Sequence, residues 1–303
     1  MKYMYALSGS AEGFAKGVTG GGSATAVYLQ LPMSWFHMIS LILKAPQLPP
    51  DAPLGNCFGL PDAINQNDWR TSYQPDAPSV SVTYYNAGAL DITVAPDKTL
   101  IGSGSSGIIK VKGLRIVGGA TNIIIHEVAD IFSFKNIAIT DINPGYVWGD
   151  AISIDDADLL WIDHVTTARI GRQHLVHGTS ADNRVTVSKP YFAGVTSYSA
   201  TGRAPKVQGN TLLHAVNNYR YDSSGHAFEI GSGDYVLAEG RLFTSPSTSE
   251  NTVCETYLGR DCVINGFGSS GTFSESDTGS LSDFESKNLA IASAYTVVQT
   301  SVL

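Results

Sequence analysis

Charge is what this chain has least of. Only 15% of its 303 residues are Asp, Glu, Lys or Arg, against about 25% in an average soluble domain. The 27 acids outnumber the 19 bases, for a formal net charge of −8. No basic stripe stands out, which argues against a nucleic-acid partner. Cysteine is scarce as well. Cys57, Cys254 and Cys262 are too few for a disulfide-built scaffold or a four-ligand zinc site. Long apolar runs are missing too. The stretch from Trp35 to Leu43 carries His37 and Ser40 and stops at Lys44. A bilayer span needs about 20 residues, so no membrane partner is expected. The first residues, Met1-Lys2-Tyr3, start like a signal peptide. Ser8-Gly9-Ser10 arrives before any apolar core of about 7–15 residues, so an export signal would be truncated. Heptads of Glu and Lys are absent, which excludes a coiled coil.

Glycine and aromatics are plentiful. There are 31 Gly, 14 Tyr, 11 Phe and 4 Trp, enough aromatic surface to exclude a disordered chain. Residues 1–28 are small and polar. Residues 29–64 are broken by Pro32, Pro46, Pro49, Pro50, Pro53 and Pro61, and no strand or helix is placed there. From about residue 79 short β patterns begin with Ser79–Thr83 and Asp91–Val94. A polar residue then precedes a short apolar strand at Asn136, Asp158, Asn183, Asn210 and Asp234. Intervals in the twenties, with strands and no regular helices between, indicate a stacked solenoid. A leucine-rich consensus is absent, and a β-sandwich would show turn signals every ~8–12 residues. The reading is an all-β, parallel β-helix forming one domain over residues 1–303. Coils occupy 79–243, and a tail over 244–303 packs along or caps the solenoid.

Two clusters carry candidate chemistry. One runs from Trp148 through Asp150 and Asp155-Asp156, and continues at Arg169 and Arg172. The other is Arg203-Ala-Pro-Lys206. Asp150 and Arg172 are one repeat apart, so on adjacent coils they would face each other about 4.8 Å apart. That pair is either a surface salt bridge worth little or part of a site. Arg172, Arg203 and Lys206 would make one cationic patch if the coils align, and such a patch stabilises a developing anion. Asp155 and Asp156 are adjacent on a strand and point to opposite faces, which argues against a paired-carboxylate hydrolase. Trp148 and Trp69 either stack on sugar rings or belong to the core. His164, His174, His177 and His214 lack metal-site spacing, and no metal is assigned. Cys254 and Cys262, eight apart, either close a small loop in an oxidising compartment or remain free thiols.

Several segments together resemble fungal pectin lyases, in the superfamily of secreted right-handed parallel β-helices. They are Ser8–Ala15, Asn67-Asp-Trp69, Pro75–Val82, Trp161-Ile-Asp-His164 through Arg172-Gln-His174, Arg203-Ala-Pro-Lys206 and Leu258–Ser269. The resemblance implies β-elimination on methyl-esterified polygalacturonate by a secreted, monomeric enzyme without a cofactor. Arg203 maps to the base, and Arg172, Asp150 and Lys206 to its neighbours. Trp148, Trp69 and Arg169 are candidates for substrate contact. A neutral ester suits a chain of net charge −8 better than polyanionic pectate does. Arg172 matches the arginine that replaces the Ca²⁺ of pectate lyases. Arginine normally stays protonated, and nearby cations favour its neutral form. The alternatives are a Ca²⁺-dependent pectate lyase and a non-catalytic pectin binder.

The chain departs from the family pattern at four places. Residues 29–64 do not match, which leaves Cys57 without a partner. His126–Lys135 reads as an insertion. About one coil is lacking between Tyr198 and Arg203, and another stretch after Phe243. Arg220 stands where the family has an aromatic. Loss of a coil is expected to break the stacking, shift Arg203 relative to Arg172 and impair activity.

Overall fold

The computed structural model describes residues 9–24, 38–44, 79–85, 91–102, 108–110, 113–127, 137–142, 150–170, 173–194, 205–221, 227–240, 248–263, 265 and 278–293. Its framework is a parallel β-helix with three faces. The first face stacks β3 (Ile92–Thr93), the start of β6 (Leu114–Glu127), the start of β8 (Ile152–Asp163), β10 (Leu175–His177), β13 (Lys206–Val207) and β16 (Glu229–Ile230). The second stacks β4 (Lys98–Gly102), the ends of β6 and β8, β11 (Asn183–Ser188), β14 (Leu212–Val216) and β17 (Tyr235–Glu239). The third stacks β5 (Ile108–Lys110), β7 (Ile137–Ile142), β9 (Val165–Ile170), β12 (Tyr191–Ala193) and β15 (Tyr219–Tyr221).

Alternation along these strands produces the core. On the second face Ile123, Ile125, Leu160, Ile162, Val185 and Val187 point inward and are buried. Each such side chain is worth about 1.5–3 kcal/mol when removed from water. The turn from the second face to the third is tight. It uses His164, Lys189 and Asn217 at φ of 50°, 48° and 54°. A single left-handed residue reverses the chain there, at a steric cost that Asn tolerates best.

The outward side of the second face is also covered. The N-terminal segment lies on it, with Ala15 packed on Ile124 and Trp161. The Ala15 amide donates to Thr186 Oγ1 at 2.9 Å, and Asn122 Oδ1 accepts from the Thr19 and Gly20 amides at 2.7 and 3.0 Å. The C-terminal segment continues the cover, with Leu281 and Phe284 buried beside Leu237 and Cys254. Its Ala290 amide donates to His214 Nδ1 at 3.2 Å. The described part of this segment thus lies against the second face.

Several expectations need correction. The segment at Ile137–Ile142 belongs to the third face and pairs with β9, not with the strand after Asp158. Across the neighbouring round Asp158 is in register with Thr121. Two strands of one round carry the same apolar alternation, so periodicity could not separate them. The insertion starts after β6, because His126 is still in register with Asp163. Asn210 is likewise one residue out of phase with Asp234, since Leu212 pairs with Tyr235. A strand, β1 (Met38–Lys44), lies within the Pro-broken stretch. It pairs antiparallel with β2 (Ser79–Tyr85), and parallel rungs start at β3. Proline confines that strand without preventing it, because none falls inside it. The Ser/Thr-rich run leads into a helix, α1 (Thr248–Leu258), where none was expected.

The described rungs on either side of Arg203 run on without a break. Val176 pairs with Lys206, Thr186 with His214 and Phe192 with Arg220. A β-helix offers every strand the same pair of ladder edges, so rounds on either side of a deletion can dock directly. Among the described residues no helix is long and apolar enough to cross a membrane.

Candidate active site

Of the sequence-predicted site residues that are described, Asp150 and Lys206 lie along the first face and Arg169 on β9 of the third. The outward column of the first face reads Arg115, Ser153, Val176, Lys206 and Glu229, in register through successive rounds. Arg115 is exposed, Ser153, Lys206 and Glu229 are half-buried, and Val176 is buried. Lys206 therefore lies two rungs from Ser153, about 10 Å at the usual strand spacing.

Asp150 sits three residues before Ser153, at the lip of the same face. Its Oδ1 accepts from the Gln173 amide at 3.0 Å, and the Ala151 amide donates to the Gln173 carbonyl at 2.9 Å. The adjacent round thus places Gln173 beside Asp150. The register between these rounds is 23 residues, one more than the spacing of 22 suggested. Beneath Asp150 the rounds are so close that a Cβ on Gly113 would lie 2.2 Å from its carbonyl oxygen. Only glycine fits there, and this fixes the height of the Asp150 backbone.

Lys206 Nζ lies 3.4 Å from Glu229 Oε1, one round along. Sequence reasoning missed Glu229. The signal was present, since Lys206 and Glu229 are one round apart and Asp150 and Gln173 show the same step. Arg169 is exposed at the end of β9, held at φ of 50° where the chain turns back toward the first face. Arg172, Arg203, Trp148 and Trp69 lie outside the described residues.

Other polar groups are engaged elsewhere. Asp155 Oδ1 accepts from the Ser180 amide at 2.8 Å, while Asp156 is exposed in the left-handed region. These neighbours diverge and form no carboxylate pair. Three of the four histidines considered above are buried and structural. His177 Nδ1 meets Asp182 Oδ2 at 2.8 Å, His214 Nε2 meets Glu239 Oε2 at 2.9 Å, and His174 Nδ1 meets Thr167 Oγ1 at 2.6 Å. Burial, then the charge of Arg220, pushes His174 down to about 3, so it is neutral near pH 7. It is no general acid or base at that pH. Cys254 and Cys262 form a disulfide, with Cα atoms 5.5 Å apart.

A carboxylate at the lip and an ammonium in the outward column thus lie on one strand face, with the exposed guanidinium of Arg115 in the same column. Such a surface can hold a polar chain lying across the rungs. No protein-family model matches the chain. Curated relatives do. "Probable pectin lyase A" of Neosartorya fischeri is 57% identical over 98% of this chain and 92% of its own length. "Pectin lyase B" of Emericella nidulans is 54% identical with the same coverage.

The chain belongs to the pectin lyases. The aligned stretch in the first relative is 361 positions long, against 303 residues in this pectin lyase. The difference consists of positions at which this chain has no residue. A solved pectate lyase bound to a hexasaccharide is 16% identical over 70% of this chain and 67% of its own, at a TM-score of 0.39.

Proposed function

We propose that this chain cleaves methyl-esterified polygalacturonate by β-elimination. The observation that carries the reading is that Asp150 and Lys206 lie along one strand face of a chain 57% identical to a pectin lyase. In the reaction a base removes the C5 proton next to the ester carbonyl. The electron pair forms the C4–C5 double bond as the C4–O bond breaks, and the departing oxygen takes up a proton. No water is added.

Arg203 is assigned as the base, and Arg172 and Lys206 as cations that stabilise the enolate-like charge and favour neutral Arg203. Asp150 orders the lip of the face through Gln173. Trp148, Trp69 and Arg169 are assigned to sugar contacts. A neutral ester avoids the repulsion that pectate would meet at net charge −8. The Cys254–Cys262 disulfide supports an oxidising, extracellular setting. The enzyme is read as a secreted monomer that needs no cofactor.

The test is ultraviolet absorbance of highly methyl-esterified pectin incubated with the chain, with and without chelator. A chelator-insensitive rise that disappears in Arg203→Ala is expected. Activity on demethylated substrate that chelator removes would overturn the reading in favour of a Ca²⁺-dependent lyase. Binding without an unsaturated product would leave a pectin-binding β-helix.

A further inference from the structure

The corner between the covered second face and the third holds a side-chain cluster that the elimination does not use. Asp163 ends β8, His126 is its rung neighbour near the end of β6, and His164 is the left-handed corner residue. Asp163 Oδ2 lies between two imidazole nitrogens, 2.9 Å from His126 Nδ1 and 2.6 Å from His164 Nδ1. One ligand atom from each of the three residues falls within 4.8 Å of the others.

The surroundings hold these donors in place. Ser188 Oγ donates to Asp163 Oδ1 at 2.5 Å, and Trp161 Nε1 donates to Ser188 Oγ at 3.1 Å. One carboxylate oxygen is thereby anchored and the other is aimed at the imidazoles. The His126 ring stacks on Trp161, with centroids 4.8 Å apart. His126 and Asp163 are buried, whereas the His164 side chain keeps 27% of its surface in solvent and gives an ion its way in. A carboxylate fixed by outer hydrogen bonds beside oriented imidazoles is the support that metal centres use.

We propose that His126, Asp163 and His164 bind one zinc-class divalent ion. Two imidazoles and a carboxylate suit borderline cations such as Zn²⁺ and leave a fourth position for water. With metal–ligand distances of about 2.0–2.2 Å, tetrahedral donors stand about 3.3 Å apart. Asp163 Oδ2 has to draw away from each nitrogen by less than about 1 Å, while the two nitrogens, within 4.8 Å of each other, close toward that spacing, mostly at the partly exposed His164. Each imidazole then presents an unprotonated Nδ1 and carries its proton on Nε2. The ligands come from neighbouring rounds, so no local sequence motif announces them. The ion would act as a staple between rounds on the covered face, away from Asp150 and Lys206.

The test uses the full chain without an affinity tag, freed of metal by chelator. Zn²⁺ affinity is measured by competition with a chromophoric chelator, and Tm is followed with and without Zn²⁺. One tight site per chain and a higher Tm are expected. Co²⁺ should give the visible bands of a tetrahedral site. His164→Ala, a change at the half-exposed corner, should remove the tight site. If that variant fails to fold, His126→Gln serves the same purpose. Ser188→Ala should weaken binding about 10–100-fold, because it frees the carboxylate without removing a ligand. Absence of stoichiometric binding would overturn the proposal. So would binding unchanged in His164→Ala and Ser188→Ala, which would assign the ion to other histidines.

Discussion

Glu239 and Arg260 form a two-pronged ion pair that ties the last strand of the solenoid to the segment after the helix. Arg260 Nη1 donates to Oε1 and Nη2 to Oε2, both at 2.6 Å. The same carboxylate accepts from the Val263 amide at 3.1 Å and meets His214 Nε2 at 2.9 Å. His214 Nδ1 in turn accepts from the Ala290 amide. One buried carboxylate therefore connects β14, β17, the disulfide loop and the tail.

Acid should release this junction. Burial pushes the Glu239 carboxyl up, but hydrogen bonds and charge from Arg260 and His214 outweigh it and hold the group at about 2. A carboxylate depressed in the folded state contributes stability that is present above its unfolded value, 4.5. That stability is lost as pH falls from about 4.5 toward about 2. The full contribution is on the order of 3 kcal/mol. Asp163 adds the same sign. Burial raises it, but contacts from His126, His164 and Ser188 hold it well below the carboxylate range. Glu239→Gln should cost about 3 kcal/mol near neutral pH. It should also flatten the acid limb of a plot of Tm against pH. An unchanged acid limb would show that other carboxylates govern acid unfolding.

Arg220 is a partly buried charge whose net worth a single change should reveal. It pairs with buried Phe192 in the ladder, and its guanidinium lies 5.5 Å from the Phe192 ring centroid and 4.6 Å from that of Phe228. Burial pushes it down to about 9 from the ordinary 12.5. The cost of the charged form therefore applies at every pH below about 9. Cation–π contact returns part of it, about 0.5–2 kcal/mol. Arg220→Trp removes this charge, and the shift in denaturant midpoint reads its net worth, desolvation against contacts. The His174 pKa should also move up, because Arg220 is the second cause of its depression after burial. A less stable Trp variant with an unmoved His174 pKa would mean that the charge of Arg220 does not reach His174 and that its contacts outweigh its desolvation.

How far these features could be read in advance depended on whether they were local. The alternation that buries Ile123, Leu160 and Val185 is written residue by residue, so the solenoid was legible. The phase of the rounds was not. A round containing an insertion carries the same apolar pattern on two faces, which placed β7 on the wrong one. Asp150 and Lys206 stood out as charged clusters in the sequence and took roles from the family resemblance, whereas Glu229 and Gln173 required the register of 23 residues. The corner donors His126 and Asp163 are adjacent only because two rounds stack, which sequence spacing does not encode.

Reduction should loosen the same end of the molecule. Cys254 is buried with Leu237, Leu281 and Phe284, and its bridge to Cys262 closes a sequence separation of eight. A loop of that size is worth about 2–3 kcal/mol through the unfolded chain. Dithiothreitol or Cys254→Ser should lower Tm, with the tail detaching first. Faster hydrogen exchange at Leu281–Phe284 would report this, while β8 and β11 stay protected. Equal loss of protection in all rounds would mean that the tail and solenoid unfold as one unit.

The role of Lys206 can be separated from its structural pairing. The Lys206–Glu229 contact is partly exposed, with side chains 21% and 34% accessible. Pairs of that kind contribute about 0–1 kcal/mol to stability. If Lys206 stabilises charge developing on the reacting sugar, Lys206→Ala should lower kcat/KM by about 10²-fold or more, with little change in Tm. Glu229→Gln should leave Tm equally unchanged but alter kcat modestly, since the ammonium remains and only its position is freed. Lys206→Arg should restore part of the rate, because charge is kept and geometry is not. Matched losses of Tm in the Ala and Gln variants, with kcat intact, would reduce Lys206 to a rung salt bridge. The cationic part of the site would then rest on Arg172 and Arg203 alone.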